Sequence, residues 1–144
     1  MRYFPRLYTP EESAGMIKRI DAFFDETGYG LYALELLSTG EFIGYTGFAR
    51  PSFEHWFTPC TEIGWRLKQD AWGRGYATEA ALACLDHGFR TLGLNEVYSF
   101  TAVLNTPSER VMQKIAMIRS GEFDHPKIEA GHPLQRHVLY RKTL

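Results

Sequence analysis

Apolar residues at helical spacing predict an amphipathic helix over residues 10–27. Five of them share one face, Met16, Ile17, Ile20, Phe23 and Phe24. We expect Thr9 to cap this helix, with Pro10 in its first turn and Glu12 completing a capping box. Gly28 then ends the helix.

Two further segments show the same periodicity. Residues 77–92 carry a stripe of Ala80, Ala81, Cys84, Leu85 and Phe89. A shorter helix is predicted over residues 106–116, where Thr106 precedes Pro107 and Glu109 follows at capping-box distance. The sequence therefore predicts three helices.

Alternating or continuous apolar runs predict six strands, over residues 30–37, 41–49, 60–67, 96–103, 117–123 and 137–142. The tripeptide Ser38-Thr39-Gly40 is typical of a hairpin turn between the first two. One right-handed β-α-β crossover through residues 73–92 joins otherwise antiparallel neighbours, which favours an α+β layer over a doubly wound sheet. Since no linker or repeat divides the chain, we expect one domain over residues 1–144.

Composition limits the classes of function. With 44% hydrophobic residues in 144, the chain can bury a core of its own, and its net charge of −1 provides no general field for nucleic acid or anionic lipid. Any anion site must be local. The absence of a long apolar run and of a signal-peptide pattern predicts a cytoplasmic protein with no membrane partner.

Cysteine and histidine carry little weight in the sequence. Cys60 and Cys84 form no metal-ligand spacing and are predicted to be reduced, small apolar residues. The histidines at 55, 87, 132 and 137 likewise lack such spacing. We therefore expect no metal.

The most informative local feature is the glycine-rich turn between the third strand and the second helix. Gly73 and Gly75 allow close approach of a ligand, and free N–H groups at a helix start favour an anion. A tight turn without a ligand is an equally simple interpretation. A dinucleotide-binding fingerprint would need a third glycine where Thr78 stands, and a P-loop would need a Gly-Lys-Ser/Thr sequence that is missing.

Two blocks resemble the GNAT superfamily of N-acetyltransferases, and its RimJ/RimL-like branch in particular. The segment Trp72-Gly73-Arg74-Gly75-Tyr76-Ala77-Thr78-Glu79-Ala80 is similar to the acetyl-CoA pyrophosphate loop. The segment Asn105 to Lys114 is similar to the branch's N-x-x-S-x-x-x-M-x-K block, and the tail from Phe123 to Tyr140 also resembles it. The resemblance implies a GNAT-like, mostly antiparallel mixed sheet with helices on both sides.

The resemblance also implies a set of residues around acetyl-CoA, the expected co-substrate. Loop amides would hold the diphosphate, and the pantetheine arm would pair with strand backbone where residues 60–67 and 96–103 part. Asn105 would bond a pantetheine amide, with closure of a turn as its alternative role. The implied set is Trp65, Arg66, Leu67, Gly73, Arg74, Gly75, Tyr76, Ala77, Thr78, Asn105, Ser108, Arg110 and Val111.

For catalysis the resemblance implies direct attack of an amine on the thioester. Glu62 is the candidate base, with a structural ion pair as the alternative, and His125 is a second candidate. Met112 stands where many relatives have a proton-donating Tyr, so Ser108 is the remaining hydroxyl near the sulfur unless it only satisfies the helix end. Ala116 replaces a common glycine at the helix exit.

The acceptor is implied to be a primary amine, either a protein N-terminus or a small molecule. Phe53, Trp56 and His125 are the predicted acceptor-binding residues, although these aromatic side chains can instead be core. A CoA-binding sensor or assembly module without turnover is the alternative function. The sequence predicts no nucleic-acid partner.

Relatives usually carry a strand and a helix before the segment resembling residues 2–5. We therefore expect strand 30–37 to lack one partner and to favour homodimer contacts or a replacement strand.

Overall fold

The computed structural model describes residues 10–144, apart from the side chain of Ser13. Within that range the helices are α1 (Pro10–Thr27), α2 (Tyr76–Arg90) and α3 (Thr106–Lys114), and a short 3-10 turn covers Gln69–Ala71. The strands are β1 (Leu31–Glu35), β2 (Phe42–Ala49), β3 (Glu62–Leu67), β4 (Glu96–Ala102), β5 (Ile118–Asp124) and β6 (Arg136–Thr143). The predicted order of elements is confirmed.

The strands form one mixed sheet in the order β1-β2-β3-β4-β6-β5. All neighbours are antiparallel except β3 and β4, which are parallel and connected through α2. The α+β prediction and the hairpin of β1 and β2 are confirmed. β1 pairs only with β2 among the described residues, and the dimer contact expected there stays a prediction.

The parallel pair separates almost as soon as it forms. Its one ladder position joins Glu62 and Tyr98. The Tyr98 N–H donates to the Thr61 carbonyl at 2.9 Å, and the Ser99 hydroxyl donates to the Ile63 carbonyl at 2.8 Å. Beyond these bonds β3 and β4 part toward their carboxyl ends, which leaves backbone unpaired in the middle of the sheet.

Alternating residues along the strands build a core on each face of the sheet. Neighbouring positions such as Val97 and Tyr98, or Val138 and Leu139, belong to different clusters. The first cluster receives side chains from α2 and α3, and Phe23 of α1 packs against it. The second cluster is capped by aromatic residues of segment 50–61.

Helices on both sides of the sheet were expected, and the described contacts correct this. All three helices pack against the first cluster, while the loop aromatics Phe53 and Phe57 cover the opposite face. Large rings can bury this face without a helix, since each one covers 150–250 Å². The second face therefore keeps room for a cavity between its loops.

Helix ends show one further difference from expectation. α3 is capped by Asn105 rather than Thr106, because the Asn105 side-chain oxygen accepts a bond from the Ser108 N–H at 3.3 Å. Gly28 ends α1 with a φ of 84°, as predicted. The Thr9 cap lies outside the described residues.

Candidate active site

The turn that starts α2 is held open by two glycines. Gly73 and Gly75 have φ values of 73° and 79°, a conformation that side-chain-bearing residues adopt only with strain. A Cβ on either residue would have nothing within 4 Å, so backbone conformation rather than crowding requires glycine. No side chain caps α2 at Gly75. The first N–H groups of the helix therefore remain available to an anion.

A cleft of about 1030 Å³ lies in front of this turn, between the end of β3, the start of α2 and α3. Among the described residues, four basic side chains and no acidic one line it, namely Arg66, Lys68, Arg110 and Lys114. This charge is local, because the whole chain carries a net charge of −1. Basic side chains and helix N–H groups together suit a diphosphate.

The cleft gathers the residues that the resemblance implied around CoA, with one exception. Arg74 is exposed and does not line the cleft, although its neighbours Gly73 and Gly75 do. Trp72, the first residue of the motif that resembles the pyrophosphate loop, is 44% exposed and lines the cleft. Its indole N–H donates to the Leu67 carbonyl at 2.8 Å, which ties the turn to the end of β3.

Other residues of the cleft were not identified from the sequence. Lys114 lies one helical turn after Arg110, a spacing from which it could have been found. Phe42 and Lys68 reach the cleft only because β2 pairs with β3 and with the residue that follows it. The Lys68 N–H donates to the Ile43 carbonyl at 2.8 Å. No local signal marks that pairing.

A second cavity, of about 610 Å³, is lined by residues of β3, β4, α3 and the loop between β5 and β6. Five residues line both spaces, Tyr45, Trp65, Arg66, Asn105 and Ser108. The two cavities therefore adjoin at the place where β3 and β4 part. A long ligand lying in the first can present its end to the second.

Glu62 lines the second cavity at the one position where β3 pairs with β4. Desolvation raises the pKa of its carboxyl to about 8. The carboxyl is thus near its titration midpoint at mildly alkaline pH, where a proton acceptor works well. The alternative role as half of an ion pair has no support, because none of the ion pairs found among the described residues includes Glu62.

His125 and His137 line the same cavity, with ring centroids 4.9 Å apart. Burial, reinforced by His137 and Lys127, lowers the pKa of His125 to about 4, and burial also lowers the pKa of His137. His125 Nδ1 accepts the Lys127 N–H at 3.1 Å, whereas His137 Nδ1 lies 3.1 Å from the Gln135 carbonyl and must donate to it. Both rings are neutral at pH 7. His137 was not predicted, because only the β5–β6 register brings it to His125.

Ser108 and Met112 lie one turn apart on α3 and both line the second cavity. Met112 is 1% exposed and belongs to the first core cluster. Its thioether cannot donate a proton. Ser108 lines both cavities, so its hydroxyl is at the junction, while its N–H satisfies the Asn105 cap.

The three aromatic residues of the 50–59 loop have different environments. Phe57 is core, and Phe53 packs between Phe57, Phe100 and His125. Trp56 is 65% exposed. Neither Phe53 nor Trp56 lines the two cavities, whereas His125 lines the second.

Neither cysteine is suited to act as a nucleophile. Cys60 and Cys84 are free thiols, and burial, helped by Glu62 and Glu96, raises the pKa of Cys60 to about 12. Among residues 10–144, no cluster of three or more His, Cys, Asp or Glu is arranged to hold a metal ion. In the same range no helix is long and apolar enough to cross a membrane.

Comparison with known proteins decides the family. The family model described as an acetyltransferase (GNAT) domain matches residues 1–118. The chain belongs to the GNAT acetyltransferase family. Members of this family are acyltransferases that use acetyl-CoA, and the glycine turn, basic cleft and parting strands fit that co-substrate.

Similar proteins agree with this assignment. The uncharacterized N-acetyltransferase YnaD of Bacillus subtilis (strain 168) is 32% identical over 124 residues, which are 85% of this chain and 68% of YnaD. A GNAT-family acetyltransferase structure from Bordetella pertussis has a TM-score of 0.81 at 25% identity, covering 94% of this chain and 78% of that one. Across four matched Bacillus proteins, the chain spans 54% to 71% of the relative's length.

The fold is shared with a more distant acetyltransferase as well. RimJ from Mycobacterium smegmatis, solved with a CoA disulfide, has a TM-score of 0.72 at 22% identity. The match covers 92% of this chain and 61% of RimJ.

Proposed function

We propose that the chain is an N-acetyltransferase that transfers the acetyl group of acetyl-CoA to a primary amine in a ternary complex. The observation that carries this proposal is the junction of the two cavities where β3 and β4 part. The basic cleft suits the coenzyme, and the second cavity suits the amine. Direct transfer requires both to meet at one point.

The coenzyme is held by groups of three elements. The N–H groups of the turn from Gly73 to Ala77 bind the diphosphate, with Arg110 and Lys114 of α3 supplying positive charge. The edge of β3 that faces away from β2, near Trp65 and Arg66, binds the pantetheine amides. Asn105 contributes from the start of α3, where its side-chain NH₂ is free of the bond that its oxygen makes to Ser108.

The thioester supplies an activated carbonyl carbon and a thiolate leaving group. The amine nitrogen bonds to that carbon, the carbon–sulfur bond breaks, and the thiolate takes one proton. Glu62 accepts the proton that the amine loses, directly or through water. Ser108, at the junction, donates a hydrogen bond or a proton to the sulfur.

Glu62 suits the role of base better than His125. A base with a pKa of about 8 retains its proton affinity near neutral pH, whereas His125, with a pKa of about 4, is a weak base. His125 Nδ1 is also engaged by the Lys127 N–H. His125 is therefore assigned to the wall of the acceptor cavity.

Release of free CoA thiol from acetyl-CoA, measured with a panel of primary amines, tests the proposal. We expect amine-dependent release in wild type and a loss of at least tenfold in Glu62→Gln, with Glu129→Gln as the exposed control. Stabilisation by CoA, without thiol release in the presence of any amine, would instead favour a binding module. The buried Met112, which stands in place of a proton donor, makes this a concrete alternative.

A further inference from the structure

The second cavity contains two histidine rings that a single backbone carbonyl holds together. The Gln135 carbonyl accepts the backbone N–H of His125 at 2.9 Å and lies 3.1 Å from Nδ1 of His137. The ring centroids are 4.9 Å apart, and both rings line the cavity. The two side chains therefore meet in one small region of the cavity wall, where one polar group of a ligand can reach both.

The hydrogen bonds at Nδ1 fix which nitrogen of each ring carries a proton. A backbone N–H always donates, so His125 Nδ1 accepts the bond from the Lys127 N–H at 3.1 Å, and the ring is protonated at Nε2. A carbonyl always accepts, so His137 Nδ1 carries the proton, and Nε2 of the neutral ring has a free lone pair. Burial lowers the pKa of both rings, which keeps them neutral at pH 7.

The pair thus offers one donor, His125 Nε2–H, and one acceptor, His137 Nε2. Within residues 10–144 neither of these atoms has a hydrogen-bond partner. In the same range no side-chain nitrogen or oxygen that is closed to solvent lacks a partner, although His137 is only 8% exposed. Both Nε2 atoms are therefore open to the cavity that the rings line.

Aromatic side chains surround the pair on its other sides. The ring of Phe53 lies 4.8 Å from that of His125, and Phe100 lies 5.9 and 6.2 Å from the two histidines. Phe123 lies 5.6 Å from His137. These rings form no hydrogen bonds of their own with a ligand, so a polar group that leaves water here must pair with the two nitrogens.

We infer that the histidine pair recognises a neutral group of the acceptor that both accepts and donates a hydrogen bond, namely a hydroxyl or an amide on the same molecule as the reacting amine. This inference rests on the proposed function, and Glu62 lines the same cavity. The oxygen of that group accepts from His125 Nε2–H, and its O–H or N–H donates to His137 Nε2.

Other end groups fit the pair less well. A carboxylate has only acceptors, so it meets the lone pair of His137 without a proton to share. An ammonium has only donors and meets the N–H of His125. A methyl group leaves both nitrogens unpaired once it displaces water. The pair therefore selects amino alcohols and amino amides over alkylamines, amino acids and diamines.

Matched acceptors of equal chain length test the inference. Thiol release from acetyl-CoA is measured with linear primary amines that end in a hydroxyl, carboxamide, methyl, carboxylate or ammonium group, and with a tripeptide amide. We expect kcat/KM for the best alcohol or amide to exceed that of its methyl, carboxylate and ammonium analogues roughly tenfold. Preference for the alcohol, the small amide or the peptide supports the inference and identifies the source of the group. Equal or better use of the other three analogues would overturn it while leaving acetyl transfer intact.

A variant links this preference to the histidine pair. His125→Phe removes the donor but keeps a ring in the aromatic cluster, so the alcohol-to-methyl or amide-to-methyl ratio should fall severalfold, whereas damage to the fold would lower both acceptors alike. His125→Gln, whose side-chain N–H can replace Nε2–H, should restore part of the ratio.

The loop between β5 and β6 also supplies a matched control. His132 Nδ1 likewise accepts a backbone N–H, that of Leu134 at 3.0 Å, but His132 lines neither cavity. His132→Phe should therefore keep the wild-type ratio. An unchanged ratio in His125→Phe would remove the assigned role.

Nitrogen NMR of the imidazole rings tests the pair without turnover. Long-range ¹H–¹⁵N spectra at pH 7 should show the proton on Nε2 of His125 and on Nδ1 of His137. An imidazolium or the opposite tautomer in either ring would contradict the inference. Expected tautomers without thiol release from any amine would instead contradict the proposed function, so the two failures are distinguishable.

Discussion

Ala116 has a left-handed backbone, with a φ of 64°, immediately after α3. Its N–H donates to the Gln113 carbonyl at 3.1 Å, and the next N–H, that of Met117, donates to Met112 at the same distance. This geometry usually carries glycine, because a Cβ there costs about 1–2 kcal/mol. The exit from the helix is thus kept even though the family's common glycine is replaced.

Replacing this alanine should stabilise the protein. Ala116→Gly relieves the strain but gains chain entropy in the unfolded state, so we expect a net increase of about 0.5–1 kcal/mol in the free energy of unfolding. Urea denaturation measures it. The control Ala83→Gly, on the exposed side of α2, should lose about 1 kcal/mol. A decrease in both variants would contradict the strain argument.

Glu62 makes both activity and stability depend on pH. Transfer needs the ionised carboxylate, so the wild-type rate should rise with pH around a midpoint near 8, and Glu62→Gln should be slow with no such rise. Stability has the opposite trend: the folded-state pKa is raised from 4.5, so stabilisation is greatest below pH 4.5 and is lost as pH rises toward 8.

Two measurements check these trends. Thiol release between pH 6 and 9.5, with a saturating acceptor, gives the rate profile, and urea midpoints at pH 6 and 9 give the stability change. Glu62→Gln should be more stable than wild type at pH 9 by a larger margin than at pH 6. A wild-type rate that stays flat across pH 8 would remove Glu62 from the role of base.

At the scale of elements, two glycines allow the effect of backbone strain to be measured apart from the effect on ligand binding. Gly75 and Gly93 share a positive φ, 79° and 75°, and open space around a hypothetical Cβ. Only Gly75 lines the coenzyme cleft. Gly75→Ala and Gly93→Ala should therefore each lose about 1 kcal/mol or more of stability, because each places a Cβ on a left-handed backbone.

Their affinity for CoA should differ. Gly75→Ala tilts the turn's N–H groups and places a methyl in front of the diphosphate, so we expect Kd for CoA to rise at least tenfold by calorimetry. Gly93→Ala should bind CoA as wild type does. Equal weakening in the two variants would mean that the loss comes from general destabilisation.

Elements with a local cause were predictable from the sequence. The helical stripe of α1 and its Gly28 stop, the hairpin turn at Gly40 and the Gly73–Gly75 turn each depend on neighbours in sequence. The cap of α3 was displaced by one residue, because Asn105 competes with Thr106 for the same N–H group.

Features that depend on long-range pairing were not predictable. The His125–His137 pair exists because Phe123 faces His137 in the β5–β6 register. Within residues 10–144 the second face is covered by Phe53 and Phe57 of a loop rather than by a helix. Neither leaves a periodic signal in the sequence. The residues of the basic cleft were named from the resemblance rather than from periodicity, and their contact with CoA stays a prediction.

At the scale of the whole molecule, charge is distributed unevenly. A net charge of −1 coexists with a cleft that, within residues 10–144, is lined by four basic side chains and no acidic one. The attraction for a polyanion is therefore short-ranged, and it acts on ligands that enter the cleft rather than on distant ones. Binding should depend on the ligand's phosphates and on salt more than on the protein's overall charge.

Thermal unfolding with ligand fragments measures that dependence. CoA at 100 times its Kd should add about 2.7 kcal/mol to the free energy of unfolding, or roughly 5–11 °C in Tm for a chain of this length. Pantetheine, which lacks the diphosphate, should give a much smaller shift at the same concentration. Raising salt from 0.05 to 0.5 M should shrink the CoA shift and leave the pantetheine shift nearly unchanged, because screening acts on the phosphates alone. Equal shifts from both ligands, insensitive to salt, would show that the strand backbone rather than the basic cleft supplies the binding energy.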